Sequence, residues 1–139
     1  MGLTLEEFSS AVGSDGPVTI HGLDTRGGPV ADVRAVTAPS GVEWVQPAEM
    51  TIKCGAATPV DDVDAALAEH GQQVAIPSGG TIGGALAVGR SGIRRLGYGA
   101  MRDTLLQAPQ TDIRYSKQIL DKRHIRELAH EHFTLCQSF

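Results

Sequence analysis

Hydrophobic and polar positions follow short periods along this chain, and each change of period marks an element. Thr4-Leu5-Glu6-Glu7 has the T-x-x-E form of a capping box, and Leu5, Phe8 and Val12 share one face. That pattern predicts a first helix ending near Gly13. Ser14-Asp15-Gly16-Pro17 reads as a turn and Val18-Thr19-Ile20 as a short β-rich run. Residues 33–36, 42–45 and 50–54 read as three strands, separated by Pro39-Ser40-Gly41 and Pro47-Ala48-Glu49. Trp44 alternates with Val42 and packs into the sheet, while Thr51 and Lys53 alternate with Ile52 and Cys54 as in a half-buried strand. Thr58-Pro59-Val60-Asp61 opens a second helix. Thr58 suits the N-cap, Pro59 the first helical position, and Asp61 and Asp62 the positive helix end. Val60, Val63, Ala66 and Leu67 form its apolar stripe, and Gly71 ends it. Residues 73–76 read as a strand stopped by Pro77. The fold class expected is α/β (α+β).

Glycine is unevenly placed. Eight of the 17 glycines fall within residues 79–99. Glycine weakens helices and strands, so such density implies that the backbone itself is needed at close range. Gly83-Gly84 precedes Ala85-Leu86-Ala87, which suits the start of a short helix. Bare N–H groups at a helix start attract anions. The stretch is either a loop wrapped around a phosphate-bearing ligand or a tight structural connection. Residues 21–28, His-Gly-Leu-Asp-Thr-Arg-Gly-Gly, form a second glycine-rich loop directly after a predicted strand. There a phosphate can approach backbone amides; the plain alternative is an ordinary turn.

Composition narrows the classes. The 139 residues allow one domain or two small subdomains. A net charge of −4 speaks against a general nucleic-acid binder, which needs a basic surface. No apolar run is long enough to span a bilayer. MGLTLEEFSS has neither the basic nor the apolar region of a secretory signal. Cys54 and Cys136, far apart in sequence, are either a disulfide pair or, the reading preferred, free thiols in a reducing compartment, and the expected location is the cytoplasm. Asp61, Asp62 and Asp64 suggest either a metal site or a solvated, dipole-favoured helix face. His21 is a flavin or catalytic contact, or a strand-end surface histidine. Arg94 and Arg95 have the chemistry for phosphate, though one of two adjacent arginines usually faces water. Tyr98 stacks on a ring or packs in its loop. No metal is assigned.

Taken in chain order, the motifs form a longer pattern. Cys54-Gly55-Ala56-Ala57-Thr58 runs through Leu67 to Gly71. It is followed by Thr81-Ile82-Gly83-Gly84-Ala85-Leu86-Ala87 and Gly89-Arg90-Ser91-Gly92. Arg94-Arg95-Leu96-Gly97-Tyr98-Gly99-Ala100-Met101-Arg102-Asp103 completes it. Over residues 4–106 this resembles the FAD-binding domain of the vanillyl-alcohol oxidase/p-cresol methylhydroxylase (PCMH-type) flavoproteins, and within them the FAD-binding subunit of glycolate oxidase. The resemblance implies two small α/β subdomains, the second incomplete, with FAD extended between them. Gly22, Leu23, Asp24, Thr25 and Arg26 would hold the pyrophosphate through backbone amides. Thr81, Ile82, Gly83, Gly84, Ser91 and Gly92 would make the second set of cofactor contacts. Tyr98, Arg102 and Asp103 match a loop that orders the subdomain, and Arg102 joins the cofactor-binding set. The family form of the first loop is G-x-G-T-R/K, so Asp24 stands where a glycine is usual. It adds bulk and a like charge beside a diphosphate.

The function implied is that of an FAD-binding module of an oxidoreductase. It would act as a subunit or fragment, passing hydride from a 2-hydroxy acid such as glycolate to the flavin. FAD is the expected cofactor. The full enzyme would take a small 2-hydroxy acid and need a partner subunit or a missing cap domain; nucleic acid and a membrane span are not expected. The substrate-facing groups would lie in that later domain, so no catalytic residue is named. Two rivals remain: a non-catalytic protein-interaction module derived from the same fold, and an enzyme that binds another nucleotide through the same loops. Beyond Leu106 the resemblance stops. Pro109 breaks the expected strand, residues 112–133 suit a charged helix, and 107–139 read as an atypical charged helical tail. Its basic stretch, 117–126, suits RNA, a membrane surface or a solvated helix face. His124, His130 and His132 are imperfectly spaced for one helical face.

Overall fold

The structure, a computed structural model, describes residues 3–107 and 132–136. The capping box forms as its sequence predicts and opens helix α1 (Leu5–Val12). Thr4 Oγ1 accepts from the Glu7 N–H at 3.3 Å, and the Glu7 carboxylate accepts from the Thr4 N–H at 2.7 Å. The backbone bond from Thr4, then the bond from its hydroxyl, holds the Glu7 carboxyl below its ordinary pKa. Phe8 and Val12 are buried. The last carbonyls of a helix have no partner within it, and here Arg34 supplies one. Its guanidinium donates to the carbonyls of Ala11 and of Val12, the latter at 2.7 Å.

Strand β1 (Val18–Ile20) pairs in parallel with β2 (Arg34–Val36), Val18 opposite Arg34 and Ile20 opposite Val36. Parallel neighbours require a crossover connection. The first glycine-rich loop is the beginning of that crossover, at the carboxyl end of β1. The second sheet is antiparallel, built from β3 (Val42–Gln46), β4 (Thr51–Gly55), β5 (Leu105–Gln107) and β6 (His132–Cys136) in the order β3-β4-β6-β5. Helices α2 (Val60–Ala68) and α3 (Ile82–Ala87) pack on it, and a short α4 (Arg95–Tyr98) follows. Val60, Val63 and Leu67 of α2 and Ile82, Ala85 and Leu86 of α3 join Ile52 and Cys54 of β4. This core continues to Phe8, Val12 and Val36. The two sheets and their helices thus share one interior, in the α/β class expected. Among the described residues no helix is long and apolar enough to cross a membrane.

Three expectations are corrected. Residues 73–76 are not a continuous strand, although Val74 and Ile76 are buried. The Val74 N–H donates to Asp64 Oδ1 at 2.9 Å, so it is taken by a side chain rather than a ladder. Thr58 does not cap α2, whose N-cap is Pro59 with no side-chain bond. The Thr58 hydroxyl is buried, accepts from the Gly41 N–H at 2.9 Å and lies 2.7 Å from the Gly55 carbonyl, tying two turns together. The third concerns the tail. The predicted helix runs to residue 133, yet β6 begins at His132 and inserts between β4 and β5. Its pairing satisfies the edge of β4 that would otherwise be open. The rest of the predicted helix, with its basic stretch, His124 and His130, lies outside the described residues.

Gly55 closes β4 where no other residue fits. A Cβ there would sit 2.3 Å from the Pro39 carbonyl oxygen and 2.7 Å from the Ser40 nitrogen, both backbone atoms. The same approach lets the Gly55 N–H reach the Gly41 carbonyl at 2.9 Å and the Ala57 N–H reach Pro39 O at 2.8 Å. Cys54 is buried beside it, and loss of water pushes its thiol up to about 12. The sheet register places Cys54 opposite Phe133 and Cys136 opposite Thr51. Three strand positions separate the two cysteines, about 10 Å, which is too far for a disulfide between them.

Gly55→Ala lowers unfolding free energy by about 3 kcal/mol in urea titrations, because backbone must move. Gly97→Ala, where a Cβ meets nothing, leaves stability unchanged or raises it by up to about 1 kcal/mol. The raised thiol pKa means that the native state holds a proton the unfolded chain releases above its ordinary value of 9.0. The Cys54 contribution is therefore complete below that pH and is lost as pH rises toward about 12. The slope reaches up to about 1.4 kcal/mol per pH unit. Denaturation curves of the wild type and Cys54→Ala across that window should converge by this slope.

Candidate functional site

Residues 22–28 leave β1 as an exposed loop. The His21 N–H closes the parallel ladder on the Val36 carbonyl at 2.8 Å. From there to residue 28 no backbone N–H makes a close, well-aligned hydrogen bond to a protein acceptor among the described residues, although Thr25 and Gly27 are bridged across a tight turn. Asp24 has φ +52° and Gly27 φ +104°, so the chain reverses twice within a few residues. Aspartate tolerates the left-handed region better than most side chains, and it supplies here the turn a glycine would supply. Its carboxylate is held by His21, whose Nε2 lies 3.2 Å from both oxygens. Arg26 makes no ion pair or hydrogen bond with another described residue. The loop thus offers a row of amides and one cation, the donor set a diphosphate requires.

The second loop is built differently. Its backbone pairs with the start of α2: the Val60 N–H donates to Gly80 O and the Ile82 N–H to Thr58 O, both at 3.0 Å. The Gly83 N–H reaches Ala56 O at 2.8 Å, and the Gly84 N–H reaches Thr81 Oγ1 at 3.1 Å. The expectation of bare donors at the start of α3 is therefore corrected: these amides already serve the fold. Glycine is needed there for space. A Cβ on Gly83 would lie 3.0 Å from Ala56 O, and one on Gly92 3.0 Å from Pro77 Cγ. Ile82 is buried in the core. Gly79 and Gly80 have φ +79° and +77°, which carries the loop outward before α3 begins.

Two side chains fix this loop, and a third holds the segment that leads into it. Arg90 donates to the carbonyls of Gly79 and Ser78, the latter at 2.5 Å. Asp61 Oδ1 accepts from the Gly79 N–H at 3.3 Å. Asp64 anchors Val74; burial raises its pKa, opposed first by that N–H, while Asp61 raises it further and Arg94 lowers it. Asp61 and Asp64 thus hold backbone rather than only facing water. Arg90 was not singled out by the sequence, where Arg94 and Arg95 drew notice; both of those are exposed. The available signal was its place between two glycines of the motif.

The two loops meet. A Cβ on Gly22 would lie 3.8 Å from Thr81 Oγ1, and one on Gly80 3.4 Å from Thr25 Oγ1. Gly22, Thr25 and Thr81 are therefore brought together, with Ser91 and Gly92 placed behind the second loop through Arg90 and Pro77. Arg102 falls in the 3-10 turn Met101–Thr104, and nothing further of its side chain is described. Among the described residues no group of three or more His, Cys, Asp or Glu is placed to hold a metal ion.

Arg90→Ala frees the carbonyls of residues 78 and 79. It should lower stability by about 1–2 kcal/mol and speed amide hydrogen exchange around residues 79–81, leaving exchange in α1 unaltered.

A sequence profile described as FAD binding domain matches residues 12–109, more than half of the chain. No curated protein sequence matches. Among solved structures the chain is similar to alkyldihydroxyacetonephosphate synthase in two crystal forms, each with TM-score 0.68 and 18% identity. Each likeness covers 96% of this chain and 30% of the other, so the chain spans about a third of the length of those proteins. At that identity the likeness establishes the fold. With the profile match across both glycine loops, the chain belongs to the FAD binding domain family, whose cofactor is FAD.

Proposed function

We propose that this chain is the flavin-binding module of an oxidoreductase that oxidises a small 2-hydroxy acid, glycolate being the model substrate. The observation that carries the cofactor half is the exposed backbone of residues 22–28, whose amides make no close hydrogen bonds to the protein, set against the second loop at Thr81. Residues 22–26 and Arg26 in particular would take the diphosphate, with Thr81, Ser91 and Gly92 lining the adjoining side. When bound, the flavin supplies the redox chemistry and accepts the hydride; the protein binds and orients it. The substrate half rests on the resemblance of residues 4–106 to the FAD-binding subunit of glycolate oxidase. We place cofactor binding within residues 4–106, treat 107–139 as a separate element apart from its strand β6, and expect a cytoplasmic location.

A partner subunit or cap domain is part of this reading. Ile93 and Leu96 are 99% and 102% exposed, three residues apart on the short turn around α4. Two large apolar side chains left fully in water so close together are the feature of this region that a covering polypeptide would bury. The substrate-facing groups would belong to that polypeptide.

The test is direct. The full chain, reconstituted with FAD and freed of excess, should retain a flavin absorbance spectrum. Once its partner is added, glycolate should bleach the oxidised band without oxygen. A stable, colourless oligomer at saturating FAD would favour the interaction-module reading instead. Displacement of FAD by ADP alone, with no loss from riboflavin, would favour a different nucleotide.

A further inference from the structure

Asp24 is the anomaly of the first loop. A carboxylate close to a row of phosphate-binding amides repels the ligand those amides attract. The structure shows how that charge is held. His21 Nε2 lies 3.2 Å from Oδ1 and 3.2 Å from Oδ2, so both oxygens face the ring. On the other side Oδ1 leans over Gly28, 3.9 Å from where its Cβ would be. The carboxylate therefore spans the mouth of the loop between its first and last residues. An Nε2–H, in the neutral tautomer or the imidazolium, donates to it; the contact needs no particular charge on the ring. At the same time Asp24 has φ +52°, the conformation that lets the chain turn back and present its amides.

We infer that His21 is a positioning residue for the cofactor diphosphate: it engages both oxygens of the Asp24 carboxylate, so that they do not take up the amides of residues 22–28, and steadies the left-handed turn at Asp24. This rests on the reading of these amides as the diphosphate site. His21 touches no reacting atom. Without it the Asp24 side chain is released on a loop with few close backbone hydrogen bonds of its own, and it becomes an internal competitor for the N–H groups there. An aspartate side chain accepts readily from N–H groups one or two residues along, as in Asx turns. The pair thus converts a residue that ought to weaken binding into one compatible with it, while the backbone keeps the turn that glycine provides elsewhere.

A double-mutant cycle separates this role from a general structural one. The full chain, His21→Ala, Asp24→Asn and the double variant are titrated with FAD by flavin fluorescence at one pH and ionic strength. Asparagine keeps the tolerance for positive φ and removes the charge. Asp24→Asn should tighten FAD binding by about threefold, and His21→Ala should weaken it by roughly tenfold. The double variant should return to within about twofold of Asp24→Asn, because no carboxylate remains to be held. Thermal unfolding without FAD checks that each variant is folded. His21→Gln, which keeps a donor of similar reach, should bind within about threefold of the wild type. If the wild type binds FAD but the two substitutions act independently, the inference is overturned and the cofactor reading stands. If the folded wild type takes up no FAD at all, both fall together.

Discussion

A short antiparallel pairing of backbone, residues 58–60 against 80–82, is the constraint on which the site depends. Two hydrogen bonds at 3.0 Å define it, and Gly83 extends it to Ala56. Each such bond contributes only about 1 kcal/mol net, but a buried N–H left without a partner costs more. The pairing therefore acts less by adding stability than by excluding alternatives. Once β4 has ended at Gly55, the start of α2 and the start of α3 must lie side by side. The second glycine loop, residues 78–81, is then carried out from the core to meet the first.

That constraint divides the glycines into two kinds. Gly55, Gly83 and Gly92 stand where backbone or a proline ring approaches too closely for a side chain. Gly27, Gly79 and Gly80 stand where the chain takes positive φ. The first kind builds the scaffold, and the second shapes the loops. A single count of glycines merges the two, which is why the local sequence leaves phosphate binding and tight packing as equal alternatives. The structure places the close packing in one set of segments and the exposed, glycine-turned backbone in another. The second loop uses its donors on the protein, while the first loop keeps them available.

The positions of the loops follow from strand direction. Residues 21–28 leave the carboxyl end of β1 in a parallel pair, the end at which ligands bind in open α/β sheets. Arg34 on the neighbouring strand locks α1 beneath that pair by taking its terminal carbonyls. The loop is thus exposed, yet tied to the β1–β2 pair at its start by the His21 N–H on Val36 O and just beyond its end by the Val30 N–H on Thr19 Oγ1. An amide row on a rigid frame loses less entropy on binding than one on a free coil.

The sequence by itself determined the local elements: the capping box at Thr4, the termination at Gly13, the strands around Trp44 and Ile52, and the stripe Val60, Val63 and Leu67. Each depends on neighbours within a few residues, so chain pattern suffices. The long motif from Cys54 to Asp103 also identified the family, because a spaced set of glycines and polar residues is specific even when its physical uses are mixed. Tertiary structure alone decided the rest. It gave Val74 to Asp64, withdrew Thr58 from capping, placed a strand at residues 132–136 between β4 and β5, and made Arg90 the clamp of the second loop. It also assigned the open amides to residues 22–28 rather than 82–84. Every one of these turns on which distant group reaches a donor or acceptor first, and sequence spacing does not contain that distance.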